Sequence, residues 1–162
     1  MGHTRIRMRR YVSDSFARAE LGYVFPRSWQ FVCRGSEVAA PGDYTSTFTG
    51  GGEPVLVVRD ERGVLRAFAN VCAHHAARVA EGSGAGATKF VCPYHAWTYN
   101  LQGRLVKATR MAGVSDFKAS KARARRRVGS VRVCVCVCVC VCVCVGCVCV
   151  FVCVYVSKPV WI

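Results

Sequence analysis

The chain has 162 residues, enough for one ordinary domain, and a formal net charge of +14. Residues 11–117 contain eleven of the 23 Lys and Arg residues and all nine acids, so their net charge is only +2. Because the excess positive charge lies in the flanks, we expect no nucleic-acid groove on the folded part. We predict a basic N-terminal extension at 1–10 and a solvated basic linker at 118–132.

Twelve cysteines would ordinarily suggest a disulfide scaffold, but nine of them lie between Cys134 and Cys153. The other three are Cys33, Cys72 and Cys92. Residues 1–10 are rich in Arg and have no apolar core, so they do not resemble a secretory signal. Three thiols without such a signal fit a reducing compartment, and Cys33 is interpreted as a small buried hydrophobic residue.

Taken in chain order, the sequence pattern predicts one short helix followed by short strands. Ser13 or Asp14 can cap a helix that runs to about Phe25, and Pro26 stops it. Gly82–Ala87 is predicted to be a flexible connection. Alternation, β-branched residues and turn signals predict strands at Trp29–Cys33, Asp43–Thr49, Pro54–Arg59, Leu65–Val71, Lys89–Val91, Trp97–Tyr99 and Arg104–Val106. The predicted fold class is all-β, a small antiparallel domain with a short N-terminal helix.

Two compact Cys-plus-His pairs are the candidate functional residues: Cys72-Ala73-His74 and Cys92-Pro93-Tyr94-His95. A Cys2His2 set suits a [2Fe–2S] cluster in which the two Cys hold one iron and the two His hold the other. The rival is a structural zinc site, but zinc fingers pair Cys with Cys and His with His, whereas each pair here mixes the two. Four unliganded residues are disfavoured, because Cys and His are otherwise rare in the first 117 residues.

The residues around these pairs resemble the two cluster loops of the alpha subunits of Rieske non-haem iron oxygenases. The resemblance rests on Asn70–His74, Cys92–Tyr99 and Leu101–Ala108, and it covers about residues 11–117. Among the members, choline monooxygenases are the most similar, through Ala76 and the Gly82-Ser83-Gly84 stretch. The resemblance implies an N-terminal Rieske domain at 11–117. It also implies that a Rieske-type [2Fe–2S] cluster is bound by Cys72, His74, Cys92 and His95.

Two residues depart from the pattern of that family. His75 stands where the family usually has Arg, and we expect it to face solvent and point away from His74. Ala96 stands where Gly is common after the second His. A Cβ there is strained only if φ is positive, and we expect the loop to tolerate it. The aromatic residues Trp97 and Tyr99 are expected to pack in the core or to shield the cluster.

The resemblance further implies a second domain, in which two His and a carboxylate hold a mononuclear Fe(II). The chain has four His, and once His74 and His95 are assigned to the cluster, His3 and His75 cannot build that site. We therefore expect a truncated choline-monooxygenase-like oxygenase of the aromatic-ring-hydroxylating type, whose Rieske domain passes electrons to an iron site absent from this chain. The alternatives are a stand-alone Rieske ferredoxin and a Cys2His2 zinc-binding structural module.

By the same resemblance, a reduced ferredoxin or a reductase is the expected electron donor, and an oligomer is expected only for the intact enzyme. Monooxygenase activity and betaine biosynthesis likewise belong to the intact enzyme. Similarity to plant choline monooxygenases implies the chloroplast stroma, and the cytoplasm is expected otherwise.

Residues 133–162 are a low-complexity tail in which Val and Cys alternate. GTG encodes Val and TGT encodes Cys, so a (GT)n repeat translates as Val-Cys. Arg132, Phe151, Tyr155 and Ser157 stand in Cys positions, and each has a codon one base away from TGT. We hypothesise that residues from about 118 onward are a translated intron or a frame error, and we predict a disordered or artefactual tail rather than a folded domain. A membrane span is disfavoured, because alternating Val lacks the Leu-rich character of most spans.

Overall fold

The computed structural model describes residues 8–111, 131–137 and 148–154. Within these ranges the chain forms one short α-helix followed by short antiparallel strands, as the sequence predicted. Most of the predicted basic linker and residues 1–7 of the basic extension lie outside the described residues. No helix in the described ranges is both long and apolar enough to cross a membrane.

The N-terminal helix is shorter than predicted. Helix α1 spans Asp14–Ala19, and Ser13 caps it by accepting a hydrogen bond from a backbone N–H of the first turn at 3.4 Å. The chain continues as a π-helical turn at Glu20–Val24 and ends in a 3₁₀ turn at Phe25–Arg27. Pro26 lies inside that last turn and has no N–H to donate, so it marks the end of the helical segment as predicted.

The strands lie close to their predicted positions, and the bounds of the seven predicted ones agree within two residues. Within 8–111 they are β1 (Trp29–Arg34), β2 (Tyr44–Phe48), β3 (Pro54–Arg59), β4 (Leu65–Ala69), β5 (Ser83–Gly84), β6 (Lys89–Val91), β7 (Thr98–Asn100) and β8 (Leu105–Lys107). Two further strands follow, β9 (Val131–Val137), which begins in the last two residues of the predicted linker, and β10 (Val148–Val154) in the Val-Cys tail.

The central sheet has the strand order β4-β3-β2-β5. Strand β3 lies between two neighbours, and the whole run Val55–Val58 is buried. Burial on both faces explains why the run is apolar without alternation. Because side chains alternate along a strand, Val55 and Val57 belong to one part of the core, while Leu56 and Val58 belong to the other.

The connection predicted to be flexible is attached to this sheet. Ser83 pairs with Thr45 as part of β5, and their hydroxyl oxygens lie 2.8 Å apart. Gly84 allows the ring of Tyr44 to approach, because a Cβ at Gly84 would lie 2.7 Å from that ring. The segment between the two ligand loops is therefore held in place by β2.

A second sheet has the order β6-β7-β8 and carries the second ligand loop. The pairing of β6 with β7 joins both ends of the loop at residues 92–97, so one strand pair fixes its entry and its exit. The β7–β8 turn contains Gly103 at φ +72, and a Cβ there would collide with the ring of Phe68 on β4. This close approach brings the second sheet against the first.

Strands β9 and β10 pair with each other, and β10 also pairs antiparallel with β1. Trp29 lies opposite Cys153 and Arg34 opposite Cys149, with a shift of register between Phe31 and Cys33. Alternating Val and Cys match the two-residue period of a strand, and the strands pair through backbone hydrogen bonds that do not require particular side chains. That the tail is not a folded domain of its own, and that it arose from a dinucleotide repeat, remain predictions.

Among residues 8–111 the buried core has two parts. The smaller one consists of Cys33, Val38, Val55, Val57 and Ala67. The larger one consists of Leu56, Val58, Cys72, Phe90, Cys92, Trp97, Tyr99, Leu101 and Leu105. Both loop cysteines belong to this larger part, so the predicted metal ligands form part of the hydrophobic core.

Asp60 is a fully buried carboxylate in the turn after β3. It accepts hydrogen bonds from the backbone of Arg62 at 3.0 Å and Val64 at 2.8 Å, and from Arg66 Nε at 2.6 Å. Burial alone would raise its pKa, but the hydrogen bonds from Arg66, Val64 and Arg62 hold the pKa of Asp60 below its ordinary value of 3.8. Asp60 thus fixes the β3–β4 turn through its ionised form.

This depressed pKa predicts a loss of stability in acid. The carboxylate contributes stability above the ordinary pKa of 3.8, and the contribution is lost as the pH falls through the lower folded pKa. Asp60→Asn should lower the urea midpoint near neutral pH and flatten its dependence on pH in the acid range, measured by circular dichroism. Glu53→Gln, at an exposed position, is the control. An unchanged acid dependence in Asp60→Asn would contradict this role.

Candidate metal centre

The two predicted ligand loops share one backbone framework. In each loop the Cys N–H donates a hydrogen bond to the carbonyl five residues later, at 2.7 Å for Cys72 and 2.8 Å for Cys92. The Cys carbonyl accepts a hydrogen bond from the N–H four residues later, at 2.9 Å in both loops. Both backbone groups of each cysteine are therefore fixed. The framework explains how two loops with different His spacing can present their thiols in the same way.

The fifth residue of each loop has a left-handed backbone conformation. Ala76 has φ +56 and Ala96 has φ +54. This conformation favours Gly, because the Cβ of other residues crowds the neighbouring carbonyl. Ala96 therefore has the positive φ under which a Cβ is strained, and Ala76 has the same strained conformation in the first loop.

Ala96→Gly should raise the free energy of unfolding. Left-handed φ costs a non-Gly residue about 1–2 kcal/mol, whereas the added backbone entropy of Gly costs ~0.5–1 kcal/mol. We expect a net gain of about 0.5–1 kcal/mol, measured by urea unfolding. Ala40→Gly, at an exposed position without positive φ, should instead lower stability. A loss of stability in Ala96→Gly would show that the loop is not strained there.

The two loop thiols are buried side by side. Cys72 is 2% exposed and Cys92 is 3% exposed. Burial raises the pKa of the Cys72 thiol, and the neighbouring Cys92 thiol adds to this rise, while the hydroxyl of Tyr99 opposes it. Two adjacent buried thiols would carry their charge at a high cost unless a cation lay between them.

The imidazoles of His74 and His95 lie next to each other, with ring centroids 4.6 Å apart. The Nδ1 atoms of both are buried, and neither has a hydrogen-bond partner among the described residues. Such atoms cost free energy unless something else satisfies them. Burial, together with the neighbouring His75 and His95, lowers the pKa of His74, which favours the neutral imidazole that binds metal. Two buried thiols and two unpaired Nδ1 atoms would suit the donor set of a Cys2His2 iron–sulfur cluster.

Three contacts fix the imidazole side of the centre. The ring of His74 stacks on Trp97 with a centroid distance of 4.6 Å and an interplanar angle of 6°. Thr109 donates its hydroxyl hydrogen to the carbonyl of His95, and Trp97 Nε1 donates to the carbonyl of Thr109 at 3.3 Å. Trp97 is therefore a core residue and also covers one face of His74.

Tyr99 links the two loops at the thiol side. Its hydroxyl oxygen lies 3.2 Å from Cys72 Sγ and accepts a hydrogen bond from Ala73 N at 2.9 Å. A thiolate can only accept, so the hydroxyl donates to Sγ once Cys72 is ionised. Burial and the adjacent Cys72 raise the pKa of Tyr99, which keeps the proton on this donor. The sequence predicted packing for Tyr99, whereas the structure adds this hydrogen bond.

Tyr99→Phe should lower the reduction potential of a cluster bound at Cys72. A hydrogen bond to a cluster sulfur favours the more negative, reduced state. If the hydrogen bond stabilises the reduced state over the oxidised state by ~1.4 kcal/mol, its removal lowers the one-electron reduction potential by about 59 mV. The measurement is a redox titration followed by EPR. Tyr94→Phe, which removes an exposed hydroxyl, is the matched control. Equal potentials in the two variants would contradict the role of Tyr99.

Asn70 anchors the first loop and was not singled out by sequence reasoning as a functional residue. It is 1% exposed, and its amide donates to Ser46 Oγ at 2.7 Å and to the carbonyl of Ala80 at 2.6 Å. Its carbonyl accepts from the backbone of Val79 at 2.9 Å and Ala80 at 3.1 Å. The signal that the sequence offered for this role was a polar Asn at the end of a strand, two residues before Cys72. It ties both ends of the first loop to strand β2.

The expected position of His75 was only half right. Its side chain is exposed, as predicted. However, it does not point away from the pair, because its ring centroid lies 4.0 Å from that of His74 and 5.5 Å from that of His95. Three imidazoles therefore meet at this end of the molecule.

Several known proteins are similar to this chain in sequence. The sequence pattern described as "Rieske [2Fe-2S] domain" matches residues 28–118. The chloroplastic choline monooxygenase of Arabidopsis thaliana is 44% identical over 113 residues, which are 68% of this chain and 26% of that protein. The carnitine monooxygenase oxygenase subunit of Acinetobacter pittii is 40% identical over 107 residues, which are 66% of this chain and 29% of that protein. The chain thus matches less than a third of either relative.

Solved structures agree in fold. The apo crystal structure of the quaternary ammonium Rieske monooxygenase CntA matches with a TM-score of 0.75 at 30% identity, over 93% of this chain and 40% of that chain. A naphthalene 1,2-dioxygenase with bound indole matches with a TM-score of 0.68 at 26% identity, over 91% of this chain and 30% of that chain. These matches confirm the predicted antiparallel fold.

Proposed function

Because the chain belongs to the Rieske [2Fe-2S] domain family, we propose that Cys72, His74, Cys92 and His95 hold its cluster and that the domain carries single electrons. The observation that supports this assignment most directly is the pair of buried Nδ1 atoms without hydrogen-bond partners, beside two buried thiols. When bound, the cluster supplies a reversible one-electron couple whose potential is raised by imidazole ligands.

The residues of the chain hold and tune that couple. Cys72 and Cys92 lose their protons on binding, and His74 and His95 bind as neutral imidazoles. Tyr99 donates a hydrogen bond to Cys72, while Trp97 excludes water from one face of His74. The outer edge near His95 is the exit for electrons, since the neighbouring side chains of His75 and Tyr94 are exposed.

We place this domain in an oxygenase system that acts on quaternary ammonium compounds. The relatives named above act on choline and carnitine, and CntA is described as a quaternary ammonium monooxygenase. A reduced ferredoxin or reductase is the proposed donor. The proposed acceptor is a mononuclear iron outside these 162 residues, because a two-His site would have to use His3 and His75, and the ring of His75 lies against that of the proposed cluster ligand His74. The Arabidopsis relative supports the chloroplast stroma as the compartment.

The test is reconstitution of the full chain with iron and sulfide. We expect a coloured product with about two irons per chain, and an EPR signal after reduction that shows coupling to imidazole nitrogen. Transfer of one electron from reduced ferredoxin would then be followed by absorbance. A colourless, EPR-silent protein that retains zinc would overturn the proposal in favour of a structural zinc module.

A further inference from the structure

A third imidazole lies at the candidate metal centre. One ligand atom from each of His74, His75 and His95 can be chosen so that all three lie within 4.8 Å of one another. A tetrahedral zinc at ~2.0–2.1 Å from each nitrogen brings such nitrogens to about 3.4 Å apart. The side chains therefore need to move by little more than ~1 Å, which small χ rotations can provide.

His75 is not needed for the cluster. The Cys2His2 set is complete without it. It is also exposed, whereas His74 and His95 are half-buried. An exposed imidazole gives an incoming cation its first ligand, and one ligand nitrogen of each of His74 and His95 lies within 4.8 Å of it.

We propose that, in the chain without its cluster, His74, His75 and His95 bind a divalent cation such as Zn²⁺ or Co²⁺. Neutral imidazole is a good ligand for these ions, and three His with one open position for water is an established zinc arrangement. Because His74 and His95 would serve both metals, the mononuclear ion and the [2Fe–2S] cluster exclude each other.

The rival site for the same ion is the Cys2His2 set. Its two cysteines are only 2% and 3% exposed, so their sulfur atoms are buried. His75 is exposed and His74 and His95 are half-buried, so a cation from solvent reaches the three imidazoles first. The geometry therefore favours capture of the ion at the outer, all-His end.

The test uses the full, iron-free chain and Co²⁺ as the probe. We expect visible cobalt d–d bands without the strong near-ultraviolet charge transfer of a Co–thiolate bond. His75→Asn should weaken Co²⁺ binding at least ~10-fold, since even the loss of an outer partner costs a site 10–100-fold. His3→Asn is the matched control, because it removes an imidazole that is not one of the three proposed ligands and should leave the affinity unchanged.

X-ray absorption at the cobalt edge of the unaltered chain answers the same question without a variant. A shell of nitrogen and oxygen ligands alone supports the proposal, whereas a sulfur shell at about 2.3 Å overturns it. Equal affinity in His75→Asn, or no binding at all, also overturns it. Cluster loading by iron and sulfide is scored separately, so failure of this site is distinguishable from failure of the proposed electron-transfer function.

Discussion

Cys92→Ser should abolish the iron–sulfur cluster of the reconstituted chain. A serine hydroxyl is a much poorer ligand for iron than a thiolate, and no other cysteine of the described residues 8–111 lies in the second loop. We expect iron content to fall from about two per chain to near zero, with loss of the visible bands and of the EPR signal. The measurement is iron and sulfide analysis alongside both spectra.

Cys33→Ser is the matched control for this variant. Cys33 is as buried as the loop cysteines, at 2% exposure, but it belongs to the smaller part of the core with Val55 and Val57. Burial, together with the nearby carboxylate of Glu37, raises the pKa of Cys33 to about 11. The control should keep its full cluster content. Equal cluster content in the two variants would remove Cys92 from the ligand set.

His74→Cys should leave a cluster in place but lower its reduction potential. Thiolate in place of imidazole adds negative charge, and the gap between all-Cys and Rieske centres is at least ~250 mV for two such replacements. One replacement is therefore expected to lower the potential by on the order of 100 mV or more, measured by a redox titration followed by EPR. The dependence of the potential on pH should weaken as well, because one titratable imidazole is lost.

The control is His3→Cys, the same substitution at a histidine far from the ligand pairs in sequence. It adds a thiol without altering the proposed ligands, so its potential should equal that of the parent chain. An unchanged potential in His74→Cys would show that His74 is not a ligand. Loss of the cluster in His74→Cys alone would indicate that the site does not accept a third thiolate.

Local signals were sufficient for much of the fold. The apolar run Pro54–Val58 and the flanking turn at Asp60–Gly63 placed strand β3 and its neighbour correctly, because a short β-branched run bounded by a turn is typical of a buried strand. The helix was overextended to Phe25, because apolar spacing does not reveal the wider π turn at Glu20–Val24. The Gly-rich segment at 82–87 was predicted to be flexible, because its pairing with β2 is made by contacts distant in sequence.

The two Cys and His pairs were identified as candidate metal ligands from the sequence alone, because pairs that mix Cys with His at this spacing are typical of the loops that bind a Rieske-type cluster. Tertiary structure decided how they are held. The hydrogen bond from Tyr99 to Cys72 joins residues 27 positions apart, and Asn70 reaches across to Ser46. The left-handed φ of Ala96 follows from loop closure at Cys92, and the approach of His75 to His95 follows from bringing two loops together. Such contacts depend on how distant segments pack, and no local pattern of residues records that packing.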